Sequence, residues 1–511
     1  MPSFRTPRRA AAVVAGLVAA VCAATALPAA AAPGAGPSVP ARYTGQRLDW
    51  HPCDGTAGLE CARMAVPRDW HRPGAGPDLT IAVSRHRATG AGGRGVLMMA
   101  AGGPGGSGLA RPADLARRSP GVAAAYDVVS FDQRGVGRST RVRCRTPEEF
   151  SGFLNGDARD RSPAALRRTL ATARAFARDC GRRDGALLPY LTTEQTVRDM
   201  DLFRSLLGAR TVSYYGASYA TMVGAYYATL FPRRVERAVL DSNVGFDGSW
   251  QRFELGQPKS FQRRFEQDFL PWLARYDDVY HYGRTPAAAQ AKWERQRRAL
   301  REHPVAVGKA VITPDRFDNG TSDALYRADR FPVLASALAA LDHWDRAGES
   351  ERARAAGLLG RAPDPAFYAE YFSVTCADSP WDRDTSAWVR RTAGDAAKRP
   401  LVGARALTFA AVCAAWPAPA APKVTVTGAG LPPTLMLNSA HDPATYHEAA
   451  VRAHHALRGS RLVTVTGDGD HGQYRNGNSC VDGVVDRYLL DGRVPARDMT
   501  CQGRPLPVPG R

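Results

Sequence analysis

The stretch Val212-Ser213-Tyr214-Tyr215-Gly216-Ala217-Ser218-Tyr219-Ala220-Thr221 constrains this chain more than any other. A β-favouring run over Thr211 to Tyr215 enters a turn of small residues, and an apolar helical pattern follows from Ser218 to Leu230. A strand that passes into a helix through one sharp turn brings two backbones close together, which small flanking residues permit. Such a turn also holds the Ser218 hydroxyl clear of both elements. Alone, G-x-S-x-A occurs by chance; the strand and helix around it give it meaning.

The rest of the chain follows the same rhythm. Short apolar runs at Leu79 to His86, Val96 to Ala100, Tyr126 to Asp132, Arg237 to Asp241, Leu435 to Asn438 and Arg461 to Thr466 end in Gly, Asp or Ser turns. Between them lie helical stretches such as Thr193 to Leu207, with Val197, Met200, Phe203 and Leu207 at helical spacing. This pattern predicts an α/β fold with a mainly parallel sheet. From Ser249 to about Ala420 the texture becomes Arg/Ala/Trp-rich and helical, as over Phe261 to Tyr276 and Ala287 to Glu302, without a strand rhythm. The expected organisation is therefore a leader over 1–32, core over 33–248, an inserted helical lid over 249–420 and core again over 421–511.

Arg5, Arg8 and Arg9 precede an Ala/Val/Leu run to Leu27, and Ala30 to Ala32 offer the small side chains of a signal-peptidase site, so the leader reads as a secretion signal. That run is short, Ala-rich and followed by a Pro/Gly linker, unlike a membrane anchor, and no later segment reads as a membrane span. Beyond Cys22 there are eight cysteines, an even count that suits an oxidising compartment. Pairing between neighbours, 53 with 61, 144 with 180, 376 with 413 and 480 with 501, closes the shortest loops. No pair has C-x-x-C spacing, which speaks against zinc or redox chemistry. The formal charge of +19 falls to +16 without the leader's three arginines, and Arg supplies all but five of the 68 basic residues, scattered along the chain. Nucleic-acid binding would gather them into a stripe. Loose attraction to acidic cell-wall polymers is the reading that charge leaves open.

Gly102-Gly103-Pro104-Gly105-Gly106-Ser107-Gly108 follows the Val96 to Ala100 strand. Gly103 to Gly108 also satisfies the dinucleotide-binding spacing G-x-G-x-x-G, but Pro104 lacks the N–H that a phosphate cradle needs. In a hydrolase such a loop offers one N–H to a developing oxyanion, and the residue after the nucleophile offers a second. Gly103 and Tyr219 are the candidates. A serine hydroxyl needs a base, and the base needs an acid to fix its tautomer. Among eleven histidines, His471 in Gly469-Asp470-His471-Gly472 lies just past the last expected strand. Asp442 in His441-Asp442-Pro443 follows the preceding one and is the expected acid, with Asp468 and Asp470 its rivals. His441 and His447 read as loop and helix-surface residues. Asp132 and Arg134 read as a turn shaped by Gly135 and an ion pair.

With these motifs the sequence resembles the tripeptidyl and prolyl aminopeptidase family of α/β-hydrolases, the type secreted by actinomycetes. The carriers are the glycine loop, Asp132-Gln133-Arg134-Gly135-Val136-Gly137-Arg138-Ser139, the turn at Ser218, Asp442-Pro443 and Asp470-His471-Gly472. The resemblance implies an α/β-hydrolase core with an inserted helical lid, no metal or organic cofactor, and peptide substrates with free N-termini, cut most readily to tripeptides. Ala220 at the turn, Ala101 where prolyl members have His, and Tyr446 where relatives usually have Pro depart from the pattern. A carboxylesterase on the same scaffold and a non-catalytic secreted binding protein are the rival readings. Exopeptidase action would need a lid carboxylate for the substrate amine, and Asp378 in Thr375-Cys376-Ala377-Asp378-Ser379 is the candidate.

Overall fold

The computed structural model describes residues 39–90 and 93–510. The expected leader, 1–32, lies outside them. The core strands are β1 (His51–Pro52), β2 (Glu60–Val66), β3 (Leu79–His86), β4 (Val96–Ala100), β5 (Asp127–Phe131), β6 (Val212–Ser218) and β7 (Val235–Asn243). After β7 the chain leaves the sheet, forms a small hairpin of β8 (Val305–Val307) and β9 (Ala310–Ile312), and returns at β10 (Leu435–Ser439), β11 (Arg461–Thr466) and β12 (Met499–Gln502). One ten-stranded sheet has the order β1-β2-β3-β5-β4-β6-β7-β10-β11-β12. From β5 to β12 every neighbouring pair is parallel; β1, β2 and β3 add antiparallel pairings at one edge.

The central strands read as unbroken apolar runs because both faces are covered. In β4 all five residues are buried, with Val96, Met98 and Ala100 in the core on one face and Leu97 and Met99 in the core on the other. Where a strand is half covered, alternation returns. The β1–β2 edge, the β8–β9 hairpin inside the otherwise helical insertion, and β12 beyond His471 all go unforeseen in the sequence. Each is short or lies on an edge, and pairing rather than pattern makes it a strand.

The segment between β7 and β10 folds mainly as helices around its own aromatic core, including Phe261, Phe265, Phe269, Trp272, Trp293 and Phe331. Its first helical run starts at Trp250, earlier than the Phe261 of the sequence pattern, and continues through a wider turn at Arg264–Phe269 to Arg275. Tyr446 explains its own departure from the family pattern. A Cβ on Gly256 would lie 2.2 Å from the Tyr446 ring, so that ring docks onto the first lid helix where only glycine leaves room.

All four neighbouring cysteine pairs are bonded: Cys53–Cys61, Cys144–Cys180, Cys376–Cys413 and Cys480–Cys501. Cys376–Cys413 joins the lid helices Pro365–Ala377 and Ala406–Ala414. No helix among the described residues is long and apolar enough to cross a membrane. The ion pair of Arg134 is with Asp199 on the helix Thr193–Leu206, at 2.7 and 2.8 Å. Asp132 instead accepts from Ser107 Oγ and the N–H groups of Gly108 and Arg138, and so ties the glycine loop to the turn after β5.

Candidate active site

Ser218 ends β6 with φ 64° and ψ −131°, a conformation that L residues avoid unless the surroundings enforce it. The enforcement comes from Tyr214, whose hydroxyl donates to the Ala220 carbonyl at 2.6 Å and whose ring fills the space under the following helix. A Cβ on Gly216 would lie 2.6 Å from that hydroxyl and 2.7 Å from the Ala220 oxygen, so glycine is required there. Ala220, the fifth position of the turn, is fully buried, and its extra methyl is accommodated. Ser218 pairs with Asn243 on β7, which brings the ends of the two strands level.

Asp442 follows β10 and is completely buried. It accepts from the N–H groups of Ala444 and Thr445 at 2.9 and 2.8 Å and from Thr445 Oγ1 at 2.8 Å. Its two oxygens also lie 3.1 and 3.0 Å from His471 Nδ1. A carboxylate only accepts, so Nδ1 carries the proton and Nε2 keeps a free lone pair. Burial pushes the imidazole pKa down, but the charge and hydrogen bond of Asp442, joined by the charge of Asp241, outweigh it, and the net shift is upward. The rivals are engaged elsewhere: Asp470 pairs with Arg264 at 2.6 Å, and Asp468 accepts from the Asp470 N–H. His441 faces Asp268.

The loop holding His471 is fastened to the end of β7, where Gly472 N–H donates to Ser242 Oγ at 2.8 Å. The end of β7 thus holds the loop that follows His471 and also pairs with the end of β6 at Ser218. Ser218 Oγ and His471 Nε2 form no hydrogen bond within 3.5 Å; such contacts commonly tighten only when substrate binds.

The glycine loop completes the floor. A Cβ on Gly102 would stand 3.0 Å from Ser218 Cβ, so this backbone lies directly against the serine. The N–H groups of Gly103 and Tyr219 donate to no acceptor among the described residues. One of these free donors follows Ser218 in the chain and the other follows Gly102, and free N–H groups of this kind suit a developing oxyanion. No group of three metal-ligating side chains occurs among the described residues.

The helical segment between β7 and β10 also reaches these residues. Tyr326 accepts the His471 N–H at 2.8 Å through its carbonyl and sets its ring edge-on to the imidazole, with centroids 5.2 Å apart. Asp378 ends the helix Pro365–Ala377 and is already engaged, accepting from Thr193 N–H at 2.8 Å, Thr193 Oγ1 and Trp250 Nε1. Burial raises its pKa to about 6. Glu370, on the same helix, is 2% exposed, and its Oε2 has no hydrogen-bond donor among the described residues. It packs over the glycine loop: its side chain would touch a Cβ added at Gly105 or Gly135. Burial pushes its pKa well above the usual carboxylate range. Sequence reasoning missed Glu370; the signal was one acid in an otherwise apolar stretch, Pro365 to Ala377.

Residues 399–501 match a family described as TAP-like protein. Over 92% of this chain and 89% of the relative, 35% of residues are identical to a tripeptidyl aminopeptidase of Streptomyces lividans. A carboxylesterase B of Mycobacterium tuberculosis is 31% identical over 92% of each chain. A serine protease, Hip1, of the same species is 29% identical over 89% of this chain and 91% of its own. With the parallel sheet, the strained serine turn and the Asp–His pair in place, the chain belongs to the tripeptidyl aminopeptidase family of α/β-hydrolases.

Proposed function

We propose that this protein is a secreted serine exopeptidase that releases short peptides, foremost tripeptides, from free N-termini. The observation that carries the reading is the His471–Asp442 pair, with Nδ1 held by the carboxylate and Nε2 left open, in a chain whose strained turn presents Ser218. Ser218 Oγ attacks the scissile carbonyl as His471 Nε2 takes its proton, and Asp442 stabilises the imidazolium. The Gly103 and Tyr219 N–H groups receive the oxyanion. His471 then protonates the departing amine, and water, activated in turn by His471, releases the acyl group from Ser218.

Exopeptidase action requires a carboxylate for the substrate's ammonium group. Asp378 is the expected residue, yet its oxygens already accept from Thr193 and Trp250. Glu370 is the better supported one, because a buried carboxyl without a donor costs free energy that an incoming ammonium group recovers. Export rests on the leader pattern of residues 1–32 and agrees with the four disulfides.

The test is incubation of the purified protein with a ladder of unblocked peptides, their N-acetylated forms and short acyl esters, with products read by mass. Tripeptides from unblocked peptides alone are expected. The relative named carboxylesterase B favours a second reading; turnover confined to the esters would establish it and reject the peptidase.

A further inference from the structure

We propose that Asp241, near the end of β7, is a positioning residue for His471 and a second carboxylate whose charge stabilises its imidazolium. The inference rests on the catalytic reading of Ser218, Asp442 and His471, and concerns what holds the base in place. Asp442 orients the imidazole ring through Nδ1 but makes no bond to the backbone that carries it. That backbone is gripped from the other side. Three successive N–H groups after His471 turn toward β7: Gly472 donates to Ser242 Oγ at 2.8 Å, and Gln473 and Tyr474 both donate to the Asp241 carboxylate at 2.9 Å. Ser242 is held at φ 57°, the second strained serine at neighbouring strand ends.

Asp241 also accepts from Tyr215 at 3.1 Å, and Tyr215 lies three residues before Ser218 on β6. One side chain thus joins the nucleophile's strand to the loop of the base. It is fully buried and has no Arg or Lys partner within ion-pair distance among the described residues. A buried carboxylate without a cation is costly. Here two backbone N–H groups and a phenol satisfy it, and the charge it responds to is His471. Burial pushes Asp241 upward all the same.

The groups that face His471 come from every element around it. Asp442 comes from the loop after β10, Asp241 from β7, Tyr326 from the lid, and in its own loop Asp470 is neutralised by Arg264. Removing the Asp241 charge leaves Asp442 as the one carboxylate stabilising the imidazolium, so the histidine must lose its proton at lower pH.

The experiment compares wild type with Asp241→Asn and Tyr215→Phe on an unblocked tripeptide anilide across pH, with thermal melting and fluorophosphonate labelling of Ser218 in parallel. For Asp241→Asn, kcat falls about tenfold to a hundredfold with KM little changed, the order expected when a catalytic group is displaced. The acid limb of kcat/KM moves to lower pH, a shift that loss of packing alone would not produce. A folded Asp241→Asn enzyme whose acid limb stays in place overturns the proposal, whatever its rate. If Asp241→Asn does not fold, Tyr215→Phe decides: a severalfold loss of kcat at constant KM supports the proposal, and wild-type kinetics overturn it. Wild type that fails to label at Ser218 would instead reject the catalytic reading, and this proposal with it.

Discussion

The ends of the central strands and the underside of the lid both carry buried acids; Asp378 in the lid is saturated like those of the strands, but Glu370 and Glu254 are treated in the opposite way. Asp442 receives donors from Ala444, Thr445 and His471, and Asp241 receives them from Gln473, Tyr474 and Tyr215. Under the lid, among the described residues, Glu370 Oε2 has no donor, and Glu254 accepts only from the Tyr371 hydroxyl. Saturated acids fix geometry, because each donor restricts where the carboxylate can lie. Unsaturated ones hold free energy in reserve for a ligand that brings its own donors. On the proposed function, the strand ends carry out the chemistry in one arrangement and the lid selects the substrate.

The largest break in that comparison comes from the saturated side. Asp442→Asn lets the amide N–H face Nδ1 and favours the wrong tautomer, so kcat should fall by about 10⁴-fold while melting changes little. A steady-state assay with an unblocked tripeptide anilide measures it; a loss below tenfold would return the role of acid to Asp468 or Asp470. A second break concerns how the lid is held. Cys376–Cys413 closes a loop of 37 residues, and replacing both cysteines by Ser should cost about 3–4 kcal/mol, read as a drop in Tm. If the lid melts with the core, one transition shifts; if it is separable, a new early transition appears.

The sequence displayed the saturated half far better than the other. Ser218, Asp442 and His471 sit where apolar strand runs stop, and turn chemistry there is compressed into a few residues. The parallel core showed itself through runs buried on both faces, as in β4. What stayed hidden depends on contacts between distant segments. Arg134 finds Asp199 across 65 positions, and nothing local marks that choice. Asp241 looked like an ordinary strand end, because its value lies in N–H groups more than 230 residues later. Asp378 is a candidate in the sequence because exopeptidase action needs a lid carboxylate, whereas Glu370 has an apolar setting that reads as a packing position. An acid inside such a helix is the feature that deserved the weight.

The choice between those two lid acids gives the next measurement. Glu370→Gln should raise KM for unblocked peptides by about thirtyfold to a hundredfold, the loss expected when one partner of a buried ion pair is removed, with ester turnover unchanged. Since burial holds the Glu370 proton on, binding of an ammonium group should also tighten as pH rises. Asp378→Asn should instead lower stability, by loosening Thr193 and Trp250, with KM nearly constant. The opposite pattern would return the amine to Asp378.

The smallest effect bears on the energetic side of the contrast. Burial raises the pKa of Glu254 to about 7 from 4.5, against the opposing pull of the Tyr371 hydroxyl and Arg405. A carboxyl whose pKa is higher folded than unfolded binds more protons in the native state, so stability falls as pH rises from the unfolded value to the folded one. For Glu254 that window runs from 4.5 to about 7. Above it the lid carries a buried charge with one neutral donor. Glu254→Gln keeps the shape and accepts the same hydroxyl, and it removes the titration. The variant should therefore melt close to wild type at pH 5 and be more stable by about 2 kcal/mol at pH 8, the order that a shift of this size allows. Melting curves at the two pH values measure it. An equal gain at both would mean that Glu254 is already satisfied, and that the lid's acids differ from those of the sheet edge only at Glu370.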